Sequence, residues 1–351
     1  MKASFTGVSI AACIGVVPRQ ISYFDDEIEN YSHDKASSIK LKELMGYGEH
    51  RVAPAGVTTA DLAQTGFSHL IERGTLKTDE IDAVYFVSQT PDYVIPPTSA
   101  ALHGRLGLQA GAYCADINEG CNGFIKGLFE ACAFLSATDA HCAVILAGDV
   151  LSQRVSSRDR NSYPLIGDAA TVTVLRKDAA ASPINIEIRH DGAGFDKLII
   201  PAGGARRPSC AATSQMEMDG EGNWRSQEQL RMNGRDVFAF TQTVVPQFLD
   251  AFIRDRGTTF SDYQRLYFHQ ANAFIIDRLR KKFGVNETAM PDRVVRRYGN
   301  SSSATIPMLI ASEPDTSSSL HCLLSGFGVG LSWGAADIVL KPCISMGVIE
   351  Q

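Results

Sequence analysis

The chain has 351 residues, 44% hydrophobic and 21% charged, a globular balance long enough for two domains or two similar halves. Its 33 Lys and Arg against 39 Asp and Glu leave a net charge of −6, which excludes nucleic acid as a main partner because nothing in excess neutralises phosphates. No apolar run reaches the ~18–20 residues of a membrane helix, so no membrane partner is expected. None of the eight cysteines stands in a CxxC pair, which argues against a zinc knuckle and for small buried hydrophobes in a reducing compartment, the cytoplasm.

In chain order, residues 5–17 read as a buried strand and 18–60 as polar and loop-rich. Residues 60–73 fit a helix with Leu62, Phe67, Leu70 and Ile71 as its apolar stripe. A strand over 82–87 enters the loop Ser88-Gln89-Thr90-Pro91-Asp92. Thr98 then opens a helix that ends near Gly107. A short strand over 113–117 meets the turn Glu119-Gly120-Cys121-Asn122-Gly123, and an apolar helix follows through Phe124, Leu128 and Leu135. Residues 142–147 are a buried strand, 151–163 a polar, mobile-looking stretch, and Gly167-Asp168-Ala169-Ala170 opens another strand.

Residues 178–182 look like a junction, dividing the chain into 1–178 and 179–351. The stretch 185–200 is strand-rich. Residues 201–223 show no period and read as a long insertion or lid. An amphipathic helix over 233–252 has Val237, Phe238, Phe240, Val244 and Phe248 available for burial, with Pro246 expected to kink it. A strand over 266–269 precedes a helix over 274–283. That helix is basic on its open side, through Arg278, Arg280, Lys281 and Lys282. The repeated strand–helix alternation predicts α/β layers. The echo between 83–89 and 265–270 is compatible with internal duplication.

Four places carry possible chemistry. Cys121 stands at a helix start between glycines that permit a sharp turn. Helix-start N–H groups lower a thiol pKa, as a nucleophile needs, but a buried helix cysteine fits the same spacing. His269 ends a strand and enters Gln270-Ala271-Asn272, where loops of α/β proteins converge on sites; a structural histidine is the plainer reading. Asn300 lies among small polar residues in Gly299-Asn300-Ser301-Ser302-Ser303, a crowded functional turn or an ordinary one. Gly326-Phe327-Gly328-Val329-Gly330 has no dinucleotide fingerprint and reads as a backbone loop lining a site.

Taken together, Glu119-Gly120-Cys121-Asn122-Gly123-Phe124, Gly167-Asp168-Ala169-Ala170, His269-Gln270-Ala271-Asn272, Gly299-Asn300-Ser301-Ser302 and Gly328-Val329-Gly330-Leu331-Ser332-Trp333 resemble, in order, the beta-ketoacyl-acyl-carrier-protein synthase III family. The stretch Met232-Asn233-Gly234-Arg235-Asp236-Val237-Phe238 also resembles that family's helix before the histidine strand. The resemblance implies an α/β, thiolase-like fold in which two similar halves form a five-layered αβαβα unit. The half 1–178 would carry the nucleophilic Cys121, and 179–351 would carry His269 and Asn300. It implies a homodimer, no metal and no cofactor.

Thiolases keep a second cysteine near the C-terminal glycine loop, where this chain has Gly328 and Val329; elongating synthases keep a second histidine where it has Asn300. The first difference implies decarboxylative Claisen condensation of an acyl thioester with a malonyl-type thioester, through acyl-Cys121, to a 3-oxoacyl product; the second fits the synthase III type. The backbone N–H groups of Cys121 and Val329 would form the oxyanion hole. The partners implied are acyl and malonyl thioesters of acyl carrier protein or coenzyme A. Acyl transfer to oxygen or nitrogen in secondary metabolism or glycan modification is the alternative; a non-catalytic partner subunit would have lost the cysteine.

The chain also departs from the family. It lacks the Trp and Arg-Thr-Gly-Ile-Arg stretch that hold coenzyme A; Arg51 is the nearest match. A carrier-linked donor is therefore expected. Phe274 stands where the family has an arginine facing the carrier protein. Ile95 falls near the aromatic that closes the acyl pocket across the dimer, and its smaller side chain would admit a larger acyl group.

Overall fold

The computed structural model describes residues 1–314 and 317–351. Two sheets form the framework. The first runs Ser345–Glu350, Val8–Val17, Ala169–Lys177, Cys142–Asp149, Ala83–Val87, Tyr113–Ile117; the second runs Lys2–Phe5, Ile184–His190, Ser332–Leu340, Leu320–Gly328, Arg265–Phe268. Their strands come from either side of residue 178 except at the termini. Lys2–Phe5 pairs with Ile184–His190, and Ser345–Glu350 pairs with Val8–Val17, so each end of the chain closes the other sheet.

Between the sheets lie two apolar helices, Gly123–Ala137 and Thr305–Ala311. Thr59–Glu72 and Thr98–Arg105 cover the outer face of the first sheet, and Gly234–Arg254 and Ala273–Phe283 cover that of the second. The result is a five-layered α/β, thiolase-like unit. The core divides accordingly. One cluster between the sheets includes Tyr85, Phe124, Ile145, Tyr267 and Leu324; an outer one includes Phe67, Leu70 and Val144; the other includes Phe248, Phe252 and Leu279. Buried central strands read as continuous apolar runs because both faces are covered.

Four expectations are revised. Residues 18–60 are not mainly loop: they hold the helix Lys35–Met45 and the paired strands Ile21–Tyr23 and Glu49–Arg51. The helix is polar, so no apolar stripe announced it. Its ends are fixed by Asp34, whose carboxylate accepts the Ser37 N–H at 2.9 Å, and by Gly46 at φ 76°. Gly326–334 is a hairpin rather than a loop, with Gly326 opposite Gly334 and only the tip at 329–331 outside the strands. Pro246 lies within one continuous helix, Gly234–Arg254; the Gln242 carbonyl that a proline leaves unpaired accepts from Lys282 Nζ at 2.9 Å. Residues 201–223, read as a long insertion or lid without period, contain the short helix Ala211–Ser214 and the strand Glu217–Met218, which pairs with Trp224–Arg225, and the segment is tied to residues 32–33. Trp224 Nε1 donates to Ser32 Oγ at 3.1 Å, and His33 Nε2 lies 2.6 Å from the Glu221 carbonyl.

Candidate active site

Cys121 follows the strand Tyr113–Ile117 through a turn closed by Gly123 N–H to the Gly120 carbonyl, and its side chain is 9% exposed. Glycines let three backbone segments meet there. A Cβ on Gly120 would lie 2.5 Å from Val329 Cγ1, one on Gly326 would lie 2.7 Å from Asn122 Cα, and one on Gly328 would lie 2.7 Å from both Cβ and Sγ of Cys121. The glycine-rich stretch is thus a hairpin laid directly on the Cys121 turn. Asn122 Nδ2 donates to Ser332 Oγ at 2.8 Å and ties the two together.

Burial pushes the Cys121 thiol up to about 12, and the nearby Asp149 adds to this; the backbone N–H groups of Val329 and Cys121 act in the opposite sense. The lowered pKa expected from the helix start is therefore outweighed by desolvation, and the resting group is the thiol. The same two N–H groups are the ones expected to receive an oxyanion.

His269 follows the strand Arg265–Phe268, and its N–H donates to the Ser325 carbonyl at 2.8 Å. The ring is 2% exposed, packs edge-on against Phe327, and places Nδ1 2.8 Å from Thr305 Oγ1. Burial pushes its pKa down to about 3, so it is neutral at ordinary pH. Asn300 is fixed at its backbone by an N–H to the Leu165 carbonyl at 2.7 Å. Its Oδ1 accepts the Ser302 N–H at 2.9 Å. Ser302 makes that bond from φ 54°, a left-handed conformation uncommon outside glycine. With Oδ1 occupied, the Asn300 amide presents Nδ2 as its donor; its contact to the Ala271 carbonyl is long, at 3.4 Å.

Cys121, Asn300, Ser302 and Val329 line one cavity of about 430 Å³, whose remaining wall is largely aliphatic and includes Leu151, Leu165, Leu198 and Leu230. His269 is tied to that wall through Thr305 and Ser302, since the Thr305 hydroxyl also lies 3.0 Å from the Ser302 carbonyl. Backbone N–H groups thus stand at the Cys121 sulfur, and the second half brings two neutral side chains, His269 and Asn300.

None of the three residues expected to bind substrate lines this chain's own cavity, and Ile95 is expected to act across the dimer. Arg51 is 4% exposed and spends Nη1 on the Pro18 carbonyl at 2.9 Å and Glu350 Oε1 at 2.9 Å, so it ties the end of the strand Val8–Val17 to the C-terminal strand and stands outside the cavity wall. Ile95 is 85% exposed and does not line this chain's cavity. Phe274 stacks on Phe238, with the Arg278 guanidinium over its ring, outside the cavity wall. Asp168 is structural, its carboxylate accepting the Ala53 N–H at 2.8 Å. Asp149 was missed. It is fully buried, accepts from Gln89 N–H at 2.6 Å and Ser88 Oγ at 3.0 Å, and burial pushes its carboxyl up to about 7. An aspartate ending the apolar strand Cys142–Asp149 was the available signal. Among the described residues, no group of three or more His, Cys, Asp or Glu is arranged to hold a metal.

Comparison with known proteins agrees with this geometry. Residues 115–192 match the family described as 3-oxoacyl-[acyl-carrier-protein] synthase III, and residues 253–340 match its C-terminal domain. A beta-ketoacyl-[acyl-carrier-protein] synthase III of Rhodopirellula baltica is 30% identical, covering 94% of this chain and 97% of its own. One from Streptococcus mutans is 29% identical, over 95% and 98% respectively. The crystal structure of a 3-oxoacyl-(acyl-carrier protein) synthase from Burkholderia xenovorans superposes with a TM-score of 0.90 at 31% identity, covering 100% of this chain and 99% of that one. With fold, motif order and full-length similarity in agreement, the chain belongs to the 3-oxoacyl-acyl-carrier-protein synthase III family of condensing enzymes.

Proposed function

We propose that the chain joins an acyl thioester to a malonyl-type thioester by decarboxylative Claisen condensation. The observation that carries this is the division of donors: backbone N–H groups at Cys121, and neutral side-chain donors on His269 and Asn300. In the first half-reaction Cys121 sulfur attacks the acyl carbonyl, the donor's C–S bond breaks, and the leaving thiol takes the proton Cys121 loses. The oxyanion is held by N–H of Cys121 and Val329, each worth roughly 3 kcal/mol in a well-formed hole. In the second, the malonyl carboxylate leaves as carbon dioxide and its bonding pair passes toward the thioester oxygen. His269 and Asn300 hold that enolate. Its carbon attacks acyl-Cys121, the C–S bond to the enzyme breaks, and the Cys121 sulfur leaves as thiolate and takes a proton from solvent to restore the resting thiol. Acyl transfer to oxygen or nitrogen would leave the His269–Asn300 pair without an enolate to stabilise, and is not favoured.

The donor we assign is carrier-linked rather than a coenzyme A thioester, because Arg51 is consumed inside the fold. We assign the acylation chemistry to the half 1–178 and enolate stabilisation to 179–351. A homodimer fits the exposed apolar run Tyr93, Val94 and Ile95, at 57%, 100% and 85% exposure, near the open edge strand Tyr113–Ile117. A cytoplasmic location fits eight unpaired cysteines. Intact-protein mass spectrometry reads acylation, and labelled carbon dioxide release reads the second step. Cys121→Ala is expected to lose acylation. His269→Ala and Asn300→Ala are expected to lose carbon dioxide release while still acylating. Equal loss of both steps in the latter two would refute the division.

A further inference from the structure

A neutral imidazole has one ring proton, and its position decides whether His269 can donate into the site. Nδ1 lies 2.8 Å from Thr305 Oγ1. The Thr305 hydroxyl has one proton and two acceptors within reach, Nδ1 and the Ser302 carbonyl at 3.0 Å. That carbonyl already accepts the Thr305 backbone N–H. Among the described residues Nδ1 has no other donor, and both His269 and Thr305 are buried, at 2% and 0% exposure. A hydroxyl proton given to Nδ1 leaves the Ser302 carbonyl paired with the Thr305 N–H and the ring proton on Nε2, free to donate into the site. Given to Ser302 instead, it doubles up on a satisfied carbonyl and leaves Nε2 as a bare lone pair.

We propose that Thr305 is a positioning residue that fixes the tautomer of His269. Its hydroxyl donates to Nδ1, which leaves the ring proton on Nε2, where it serves as the donor to the enolate oxygen. This rests on the condensation proposed above. The surrounding structure supports a fixed hydroxyl. Threonine is stiff about its Cα–Cβ bond, and Thr305 begins the buried helix Thr305–Ala311, one residue beyond the turn that Ser302 enters at φ 54°. One turn thereby orients both side-chain donors: the Ser302 N–H aims Asn300, and Thr305 sets His269.

Thr305→Val removes the hydroxyl at nearly constant shape, and Thr305→Ser restores it. In the valine variant Nδ1 has no donor, so it takes the ring proton and turns it to the Ser302 carbonyl, and Nε2 ceases to donate. The kcat for carbon dioxide release is expected to fall by about 100-fold, the cost of one lost donor. The KM for the malonyl thioester and the acylation rate of Cys121 are expected to stay within threefold. The serine variant is expected to recover most of the loss. Nitrogen-15 histidine NMR of the full chain, with His269 assigned by its loss in His269→Gln, gives a readout independent of activity. The Nε2–H pattern is expected in the parent and serine chains, the Nδ1–H pattern in the valine chain. An unchanged tautomer, or unchanged carbon dioxide release, in Thr305→Val overturns the proposal. If the valine chain does not fold, Thr305→Cys, a weaker donor, takes its place, with an intermediate loss expected and parental activity refuting the idea. A parent chain without condensing activity would refute the function and still leave the tautomer to be decided by NMR.

Discussion

Replacing Gly328 with alanine is expected to disable the nucleophile while leaving the fold in place. The new methyl would lie 2.7 Å from both Cβ and Sγ of Cys121, so the two segments must part by about 0.7 Å to reach the 3.4 Å where ordinary contact begins. Sγ can turn about one bond, but Cβ, one bond from the backbone, moves only when the backbone does. The displacement falls on the atom that must approach the acyl carbon, and on the N–H of Val329 next in sequence. An error approaching 1 Å at a reacting centre costs on the order of 100-fold in rate. Overpacking costs about 1–3 kcal/mol of stability, which a large two-sheet core can absorb. Acylation of Cys121 followed by intact-protein mass spectrometry, beside a thermal melt, separates the two effects. Gly104→Ala is the control: it lies in the helix Thr98–Arg105 with nothing within 4 Å of a new methyl, and is expected to acylate normally. A folded Gly328→Ala chain acylating within threefold of the parent would show that close packing on the cysteine is not what places it.

Alkylation of Cys121 by iodoacetamide is expected to be slow at neutral pH and to rise steeply only toward pH 12, since burial holds the resting thiol protonated up to about 12; a midpoint below pH 8 would contradict this. Asp149 has a folded pKa of about 7, above the 3.8 of a free aspartate, so the folded state prefers the proton and stability falls as pH rises from 4 to 7. Asp149→Asn is expected to remove that decline, worth up to ~4 kcal/mol, in denaturant titrations at pH 4.5 and 8; an unchanged slope would show that Asp149 is ionised throughout. Arg51→Ala is expected to lower stability by about 2–4 kcal/mol, because Glu350 and the Pro18 carbonyl lose a shared buried partner. The ratio of coenzyme A to carrier-linked acylation is expected not to move, and a selective loss of coenzyme A labelling would return Arg51 to the donor site.

Much of the scaffold was legible because covered strands and amphipathic helices write themselves as local patterns. The strand Cys142–Asp149 is fully buried, and Gly234–Arg254 shows its apolar stripe despite Pro246. The motifs holding Cys121, His269 and Asn300 were legible for a related reason: each needs small residues next to one reactive side chain, and that requirement is local. Lys35–Met45 was hidden because a polar helix held by end caps has no stripe to display. What only the tertiary structure decided depends on distance across the chain. Arg51 has the right chemistry for a phosphate, but Glu350, 299 residues away, claims it. The state of Cys121 turned on desolvation by both halves, which outweighs the helix start that the sequence displays. The glycines of the hairpin read as a loop lining a site, and their spacing reflects the Cys121 turn pressed against them. Local pattern encodes which face of an element is buried; it does not encode which distant group arrives there, and charge state and hydrogen-bond partners are set by that arrival.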